Sequence, residues 1–299
     1  MLYFENINEI NKASNLGDSK HPLIDIRRYS DILPLMPPSN GTPLKFRFYK
    51  ISLKKNFTGL MKYGKTKYDS SKGVLYFVEP GQIFSCTSTE NYNGYQIFLH
   101  PDIFKSHTLS KSIKQYNFFS YEINEALFLT DNEDTTVSFL MNEAWNELNN
   151  KGDEFSIPIV LSYISTLLNT VERFYTRQFN TRKTIYNQLT SDFLQLLKNY
   201  YTNTIYTERQ PSVHFFSEKL HVTPNYLSDI IKHNTGKSAL NIIHEYVIEE
   251  AKILLSTSNK TISEISDILG FEYSNYFSRL FKKKIKLTPS DYRKSIGSI

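Results

Sequence analysis

The sequence predicts an α+β chain: a small antiparallel β-barrel with helices behind it, then an all-α part built from a repeated pair of helices. Three observations carry this. Between about Lys45 and Phe104 the chain reads as short runs rich in β-branched and aromatic residues, KFRFYKIS, GLMKYGK, GVLYFVEPG, QIFSCT and GYQIFLHP. From about Asn132 the spacing of apolar residues changes to that of helices. In the last third, a helical segment recurs at an offset of 50 residues, Asn275 against Asn225.

In the first half, Gly59, Gly64, Gly73, Gly81 and Gly94 fall between or beside the runs and punctuate them as turns. Alternating runs of this length close into a small antiparallel barrel or stack as a sandwich. VSFLMNEAWNEL and IPIVLSYISTLLNTVERFYTRQF then read as two helices, the second with Val160, Tyr163, Ile164, Leu167, Leu168 and Val171 at helical spacing. The polar stretch Asn180-Thr181-Arg182-Lys183 follows that long helix. It sets the expected domains at residues 1–182 and 183–299.

Composition narrows the function. The chain has 299 residues, 40% hydrophobic, with 35 basic and 30 acidic side chains, the balance of a globular protein large enough for two domains. Its 21 Tyr and 21 Phe supply ample core material, which disordered chains lack. The one cysteine, Cys86, excludes an internal disulfide, a four-thiolate zinc site and a CxxC pair, and fits a reducing compartment. The segment MLYFENINEINKASNLGDSK carries no secretory pattern, and no stretch approaches the roughly 20 apolar residues that span a bilayer. A cytoplasmic protein with no membrane partner is expected. Gly-rich phosphate loops, a GxSxG elbow and an HExxH helix are all missing from the sequence. His100 and His107 stand apart from any GxHxH-like cluster, so neither a metal nor another cofactor is expected, and the chain does not read as an enzyme.

The repeat supplies the positive signal. Asn225-Tyr-Leu-Ser-Asp-Ile-Ile-Lys232 and Asn275-Tyr-Phe-Ser-Arg-Leu-Phe-Lys282 share Asn, Tyr, Ser and Lys and keep apolar residues at three further positions. Upstream, Phe216–Leu220 matches Ile265–Leu269 with the offset reduced by one, so the second turn holds one extra residue. Each unit is therefore helix, short turn, helix. Val213, Phe216, Ser217, Leu220 and Ile262, Ile265, Ser266, Leu269 form the buried stripes of the first helices. In the second helices Leu227, Ile230, Ile231 and Phe277, Leu280, Phe281 face inward. The opposite faces carry Asn225, Ser228, Asp229, Lys232 and Asn275, Ser278, Arg279, Lys282. Thr223-Pro224 is a good cap and first turn, and Ser274 is the expected cap of the second unit. A polar, partly cationic helix face after a tight turn has the form of a helix-turn-helix reader.

Across about residues 185–297 the sequence resembles the AraC/XylS transcription regulators, through ISEISDILGFEYSNYFSRLFKKKIKLTPSDYRK, LHVTPNYLSDIIKHNTGKS and YVIEEAKILL. Two departures are visible. The small residue commonly Ala is Ser217 and Ser266, and the Gly commonly found before the final TPS is Lys286, where the first unit keeps Gly236. The resemblance implies that a helix from about Ser238 to Leu255, with Leu240, Ile243, Val247, Ala251 and Leu254 at helical spacing, sets the two readers about one DNA turn, ~34 Å, apart. It implies a sequence-specific DNA-binding regulator, an activator, with promoter DNA and RNA polymerase as partners. The expected DNA contacts are Asn225, Ser228, Asp229, Lys232, Ser274, Asn275, Ser278, Arg279, Lys282 and Lys283. Of these, Arg279 suits guanine, Asn225 and Asn275 suit adenine, and Asp229 suits the amino group of cytosine. Lys284 and Lys286 read equally as DNA contacts or solvated surface.

Upstream, YFVEPGQIFS and NGYQIFLHPDIF resemble the cupin-like sensor domains that precede such readers, which implies a small-molecule effector held in the barrel and a helical dimer contact. Phe48, Phe77, Phe84, Tyr95 and Phe98 are the candidate effector contacts, with core filling as the plainer role of each. In the helix from Ile159 to Phe179, Leu161, Ile164, Leu168 and Val171 serve either a homodimer contact or the domain's own core. Cys86 reads as a small strand hydrophobe rather than a methyl acceptor or oxidant sensor. Two alternatives stay open: a regulator without effector, controlled by its abundance or a protein partner, and a cupin-type enzyme with a DNA-binding appendage.

Overall fold

The computed structural model describes residues 1–33, 39–40, 42–56, 73–84, 87–88, 93–104, 113–122, 125–150, 152–203 and 211–296. Two compact units emerge, Met1–Thr181 and Arg182–Ile299. Gly59, Gly64, the run GLMKYGK, Cys86 and His107 lie outside the described residues.

The first unit begins with β1 (Leu2–Phe4) and α1 (Ile7–Ala13). Asn6 starts the helix because its side chain accepts from the Glu9 amide while Glu9 reaches back to the Asn6 amide, a reciprocal pair visible in the sequence as N-x-x-E. There follow β2 (Ile24–Arg28), α2 (Tyr29–Ile32), β3 (Ser39–Asn40), β4 (Leu44–Phe46), β5 (Tyr49–Lys55), β6 (Val74–Val78), β7 (Ile83–Phe84), β8 (Thr87–Ser88), β9 (Asn93–Leu99) and β10 (Leu127–Phe128). The run KFRFYKIS bends at Arg47 and Phe48, so one apolar run feeds β4 and β5 in two different sheets. The main sheet has the antiparallel order β10-β6-β5-β9-β2. A second sheet, β1-β4-β7, contains a parallel pair, β1 with β4, and β3 pairs with β8.

Register sorts the main sheet into two faces. Ile26, Ile97, Ile51 and Phe77 align as an apolar row across one face. Asp25, Phe98, Lys50 and Val78 align on the other, next to Arg27, Gln96, Ser52 and Tyr76. Both faces are covered, so Lys50, Ser52, Lys54 and Gln96 are buried in the middle of the unit.

Two long helices complete the unit, α3 (Asp131–Asn149) and α4 (Ser156–Thr181). Thr130 and Glu133 cap α3 reciprocally, and Glu133 also takes the Arg177 Nε of α4 at 2.9 Å. Gln178 of α4 accepts from the Phe128 amide at 2.9 Å and donates to the Ala126 carbonyl at 3.2 Å. That satisfies the outer rim of β10, the sheet's edge. The four residues expected to choose between a dimer contact and the core are decided: Leu161, Ile164, Leu168 and Val171 are all buried within this unit. They pack against α3 and β10. No helix among the described residues is long and apolar enough to cross a membrane.

The second unit is helical: α5 (Lys183–Asn203), α6 (Val213–Lys219), α7 (Pro224–Thr235), α8 (Ala239–Thr257), α9 (Ile262–Ile268), α10 (Ser274–Ile285) and α11 (Pro289–Ile296). In α8 the buried line is Ala239, Ile243, Val247, Ala251 and Leu255. Leu240 is exposed and Leu254 only half-buried, so the expected stripe is rotated at both ends; the helix presents small Ala239, rather than Leu240, to its neighbours.

Candidate nucleic-acid interface

The interface is built twice. In the first copy, Ser212 caps α6 by accepting from the Phe215 amide at 3.2 Å, and the helix ends at a left-handed His221, φ 55°. The amide of Val222 then donates to the Ser217 carbonyl at 3.1 Å, which closes the turn. Thr223 accepts from the Tyr226 amide at 3.3 Å with Pro224 in the first turn, and α7 starts. In the second copy, Thr261 and Glu264 form a reciprocal cap on α9; the Thr261 amide and hydroxyl beside Glu264 hold its carboxyl below the usual range. Gly270, φ 78°, takes the place of His221, and the Phe271 amide donates to the Ser266 carbonyl at 3.0 Å. Ser217 and Ser266 are both buried where the two helices of each copy meet.

Position 274 is not the cap it was expected to be. Tyr273 occupies the cap of α10, without a side-chain hydrogen bond, and Ser274 is the first helical residue. The cause is the extra residue in this turn, Glu272, which places Tyr273 where the first copy has Thr223. Both second helices end in the left-handed region. Gly236 has φ 76° and donates to the Lys232 carbonyl at 2.8 Å; Lys286 has φ 70° and donates to Lys282 at 2.9 Å. The departure at Lys286 therefore keeps the geometry and carries a steric cost, since a Cβ crowds the carbonyl there. Lys286→Gly is expected to stabilise this unit by about 1 kcal/mol, read as a rise in the denaturant midpoint. An unchanged or lower midpoint would argue against that strain.

The expected outward faces are outward. Asn225, Lys232, Asn275, Arg279, Lys282 and Lys283 are exposed, and Ser228, Asp229, Ser274 and Ser278 are half-buried. Leu227, Ile230, Ile231, Phe277, Leu280 and Phe281 are buried beneath them. The copies differ in what supports them. Tyr226 is 2% exposed, with its hydroxyl 3.0 Å from that of Tyr186 on α5, whereas Tyr276 at the equivalent position is 52% exposed. Tyr273 and Tyr276 thus add two open aromatic rings beside Asn275 and Arg279, which the search for polar and cationic residues missed. Their exposure was legible in neither composition nor periodicity, because the identical tyrosine in the first copy is core.

Electrostatics follow the same asymmetry. Lys282, Lys283, Lys284 and Lys286 gather on and just beyond the last turns of α10. Glu245 of α8 takes the Lys237 ammonium at 2.8 Å and the Lys284 ammonium at 3.7 Å. Those two cations hold its carboxyl below the usual range. Lys284, expected equally as contact or surface, is thereby engaged with α8. The pKa of His244 beside them is pushed down by burial and by the charges of Lys284 and Lys283. Behind the readers, Asn234 of α7 donates to the Tyr186 carbonyl at 3.0 Å and to Thr190 at 2.7 Å, and Arg293 of α11 donates to the Leu255 carbonyl at 3.3 Å.

The candidate effector contacts of the first unit scatter. Phe98 and Phe48 pack edge to face at 5.2 Å on the polar side of the sheet. Phe77 lies on the opposite side against Phe118 at 4.5 Å, and the Tyr95 hydroxyl donates to Asn142 on α3 at 3.1 Å. Phe84 is the last residue of β7. His100 lies 3.7 Å from Asp102. Among the described residues, no three His, Cys, Asp or Glu side chains gather as a metal site.

Two helix pairs with matching turns and matching outward faces, joined by one helix, define a double helix-turn-helix module. A helix-turn-helix domain family model matches residues 216–295, and this part of the chain is an AraC-type helix-turn-helix domain. Over 78 residues the chain is 38% identical to the uncharacterized HTH-type transcriptional regulator YobQ of Bacillus subtilis, covering 26% of this chain and 32% of that protein. It is 36% identical over 78 residues to the HTH-type transcriptional activator RhaR of Yersinia pseudotuberculosis, covering 26% and 27%. The chain thus spans about a third or less of these relatives' lengths. Among solved structures, the C-terminal domain of the two-component response regulator yesN from Fusobacterium nucleatum is 36% identical, with a TM-score of 0.30, covering 33% of this chain and 95% of that one.

Proposed function

We propose that the protein is a sequence-specific DNA-binding transcription regulator, an activator, in which α7 and α10 each read a major-groove segment and the first unit is a cupin-like domain that holds a small effector. The observation that carries the reading is the doubled outward face: Asn, Ser and Lys recur at the same exposed or half-exposed positions of both second helices, over cores that differ in sequence. A solvated surface has no reason to repeat its polar residues, whereas two readers docked the same way have one. The activator named RhaR supports the sign of regulation. The resemblance to regulators of this type supports RNA polymerase as partner and a homodimer as the working form. The effector finds support in space left open within a unit otherwise dense with aromatic contacts.

Selection of bound sequences from a random duplex pool by the purified full chain, at two salt concentrations, tests this. Two short motifs about one helical turn apart are expected. Binding that is salt-sensitive but indifferent to sequence would overturn the bipartite reader. Within the selected site, Arg279→Ala is expected to relax preference at one base position, a loss of about 1–3 kcal/mol of discrimination. Lys282→Ala should instead weaken all sequences alike and lower the salt slope by about one. Identical behaviour of the two variants would refute the division between base and phosphate contacts.

A further inference from the structure

In the first unit, a cavity of about 140 Å3 lies between α1 and the polar face of the main sheet. Phe4, Phe46 and Phe98 belong to its apolar wall, and Asn11, Ser14, Lys50 and Gln96 are its polar residues. Leu2 and Ala13, both exposed, stand at its rim and open it to solvent. The space is several times that of one water, and close to the about 150 Å3 in which an engineered protein cavity holds a single aromatic ring.

The chemistry of the wall is specific. Asn11 is 1% exposed, and its Nδ2 donates to the Asp25 carboxylate at 3.1 Å. A carboxylate only accepts, so this bond fixes which way the amide points. Its Oδ1 is then a buried acceptor, and among the described residues it has no partner. Such an atom costs free energy unless a donor reaches it. Lys50 is the one ionisable residue of the lining, and its ammonium lies 5.6 Å from the centre of the Phe98 ring. A positive charge, a lone acceptor and three rings in one lining describe a complementary ligand.

We propose that this cavity binds a small hydroxylated organic acid, its carboxylate toward Lys50, its apolar body of about one ring against Phe4, Phe46 and Phe98, and its hydroxyl donating to Asn11 Oδ1. The hydroxyl supplies the donor that Asn11 Oδ1 needs without adding a charge. This gives the effector of the proposed function a chemical class and rests on that reading of the first unit.

The test is calorimetric titration of the full chain with 4-hydroxybenzoate, benzoate and 4-hydroxybenzyl alcohol. The hydroxy acid is expected to bind most tightly, with the acid lacking the hydroxyl and the uncharged alcohol each about ten-fold weaker. Lys50→Met should remove the preference for acid over alcohol. Ala13→Trp, at the exposed rim, should block all three while leaving the unfolding midpoint of the unliganded chain in place. Absence of binding at millimolar concentration, equal binding of the three compounds, or wild-type binding by Ala13→Trp would overturn the proposal. DNA selection is scored separately. Acid binding without DNA selection overturns the reader and leaves the cavity standing, and DNA selection without acid binding overturns the cavity alone.

Discussion

Phe277→Ala is expected to cost about 3–5 kcal/mol of stability in the second unit and to abolish DNA binding through loss of the fold rather than of a contact. Phe277 is fully buried, 5.2 Å from Phe271 in the turn and 5.9 Å from Phe281 one turn on, and Phe281 in turn meets Tyr292 of α11 at 5.5 Å. Truncation therefore removes the ring that joins the turn to Phe281, on which Tyr292 of α11 packs. These rings sit between rigid helices, so the site cannot collapse cheaply and a cavity remains. Denaturant unfolding of wild type and variant measures the loss. Arg279→Ala, two residues on and exposed, provides the contrast: its midpoint should match wild type even though its base preference changes. A Phe277→Ala variant within about 1 kcal/mol of wild type would mean that this ring cluster does not hold the second reader together.

Gly94→Ala is the second large effect, about 3 kcal/mol or more, and it falls on the first unit. Gly94 has φ 116°, outside what an L side chain adopts at ordinary cost, and it sits in β9 opposite Lys54 of β5. An added Cβ would meet the Leu53 carbonyl oxygen at 2.1 Å. Backbone strain of about 1–3 kcal/mol thus adds to an overlap with main chain that no rotamer relieves. Because β5 and β9 are the central pair of the sheet, ligand binding should weaken together with stability. A fully stable Gly94→Ala variant would show that β9 can shift past β5 at this point, against the ladder observed.

Gly94 also shows how far sequence reasoning reaches. Its residue type marked a turn, and it lies instead inside a strand, where the missing Cβ admits the neighbouring backbone. The distinction depends on β5, about forty residues upstream in the sequence. The elements missed from the sequence share that cause. β1, β2 and β10 are short and carry no pattern of their own; they are strands because β4, β9 and β6 offer them partners. The buried Lys50 and Lys54 are a further case, since alternation along a strand marks charged residues as solvent-facing, and here both faces of the strand are covered.

The second unit was more legible, for a physical reason. A helix satisfies its own backbone, so caps, apolar stripes and turn residues within a dozen positions specify it, and a repeat states the same specification twice. The sequence by itself determined the two reader units, their inward and outward faces and the extra residue in the turn of the second. Tertiary structure alone decided which Tyr of the repeat is buried, because Tyr186 of α5 covers Tyr226. It also decided that the apolar stripe of α4 is spent within its own unit, and that Asn11 and Lys50, 39 residues apart, share the wall of one cavity. Local pattern records what a residue needs, and only packing supplies the neighbour that meets or withholds it.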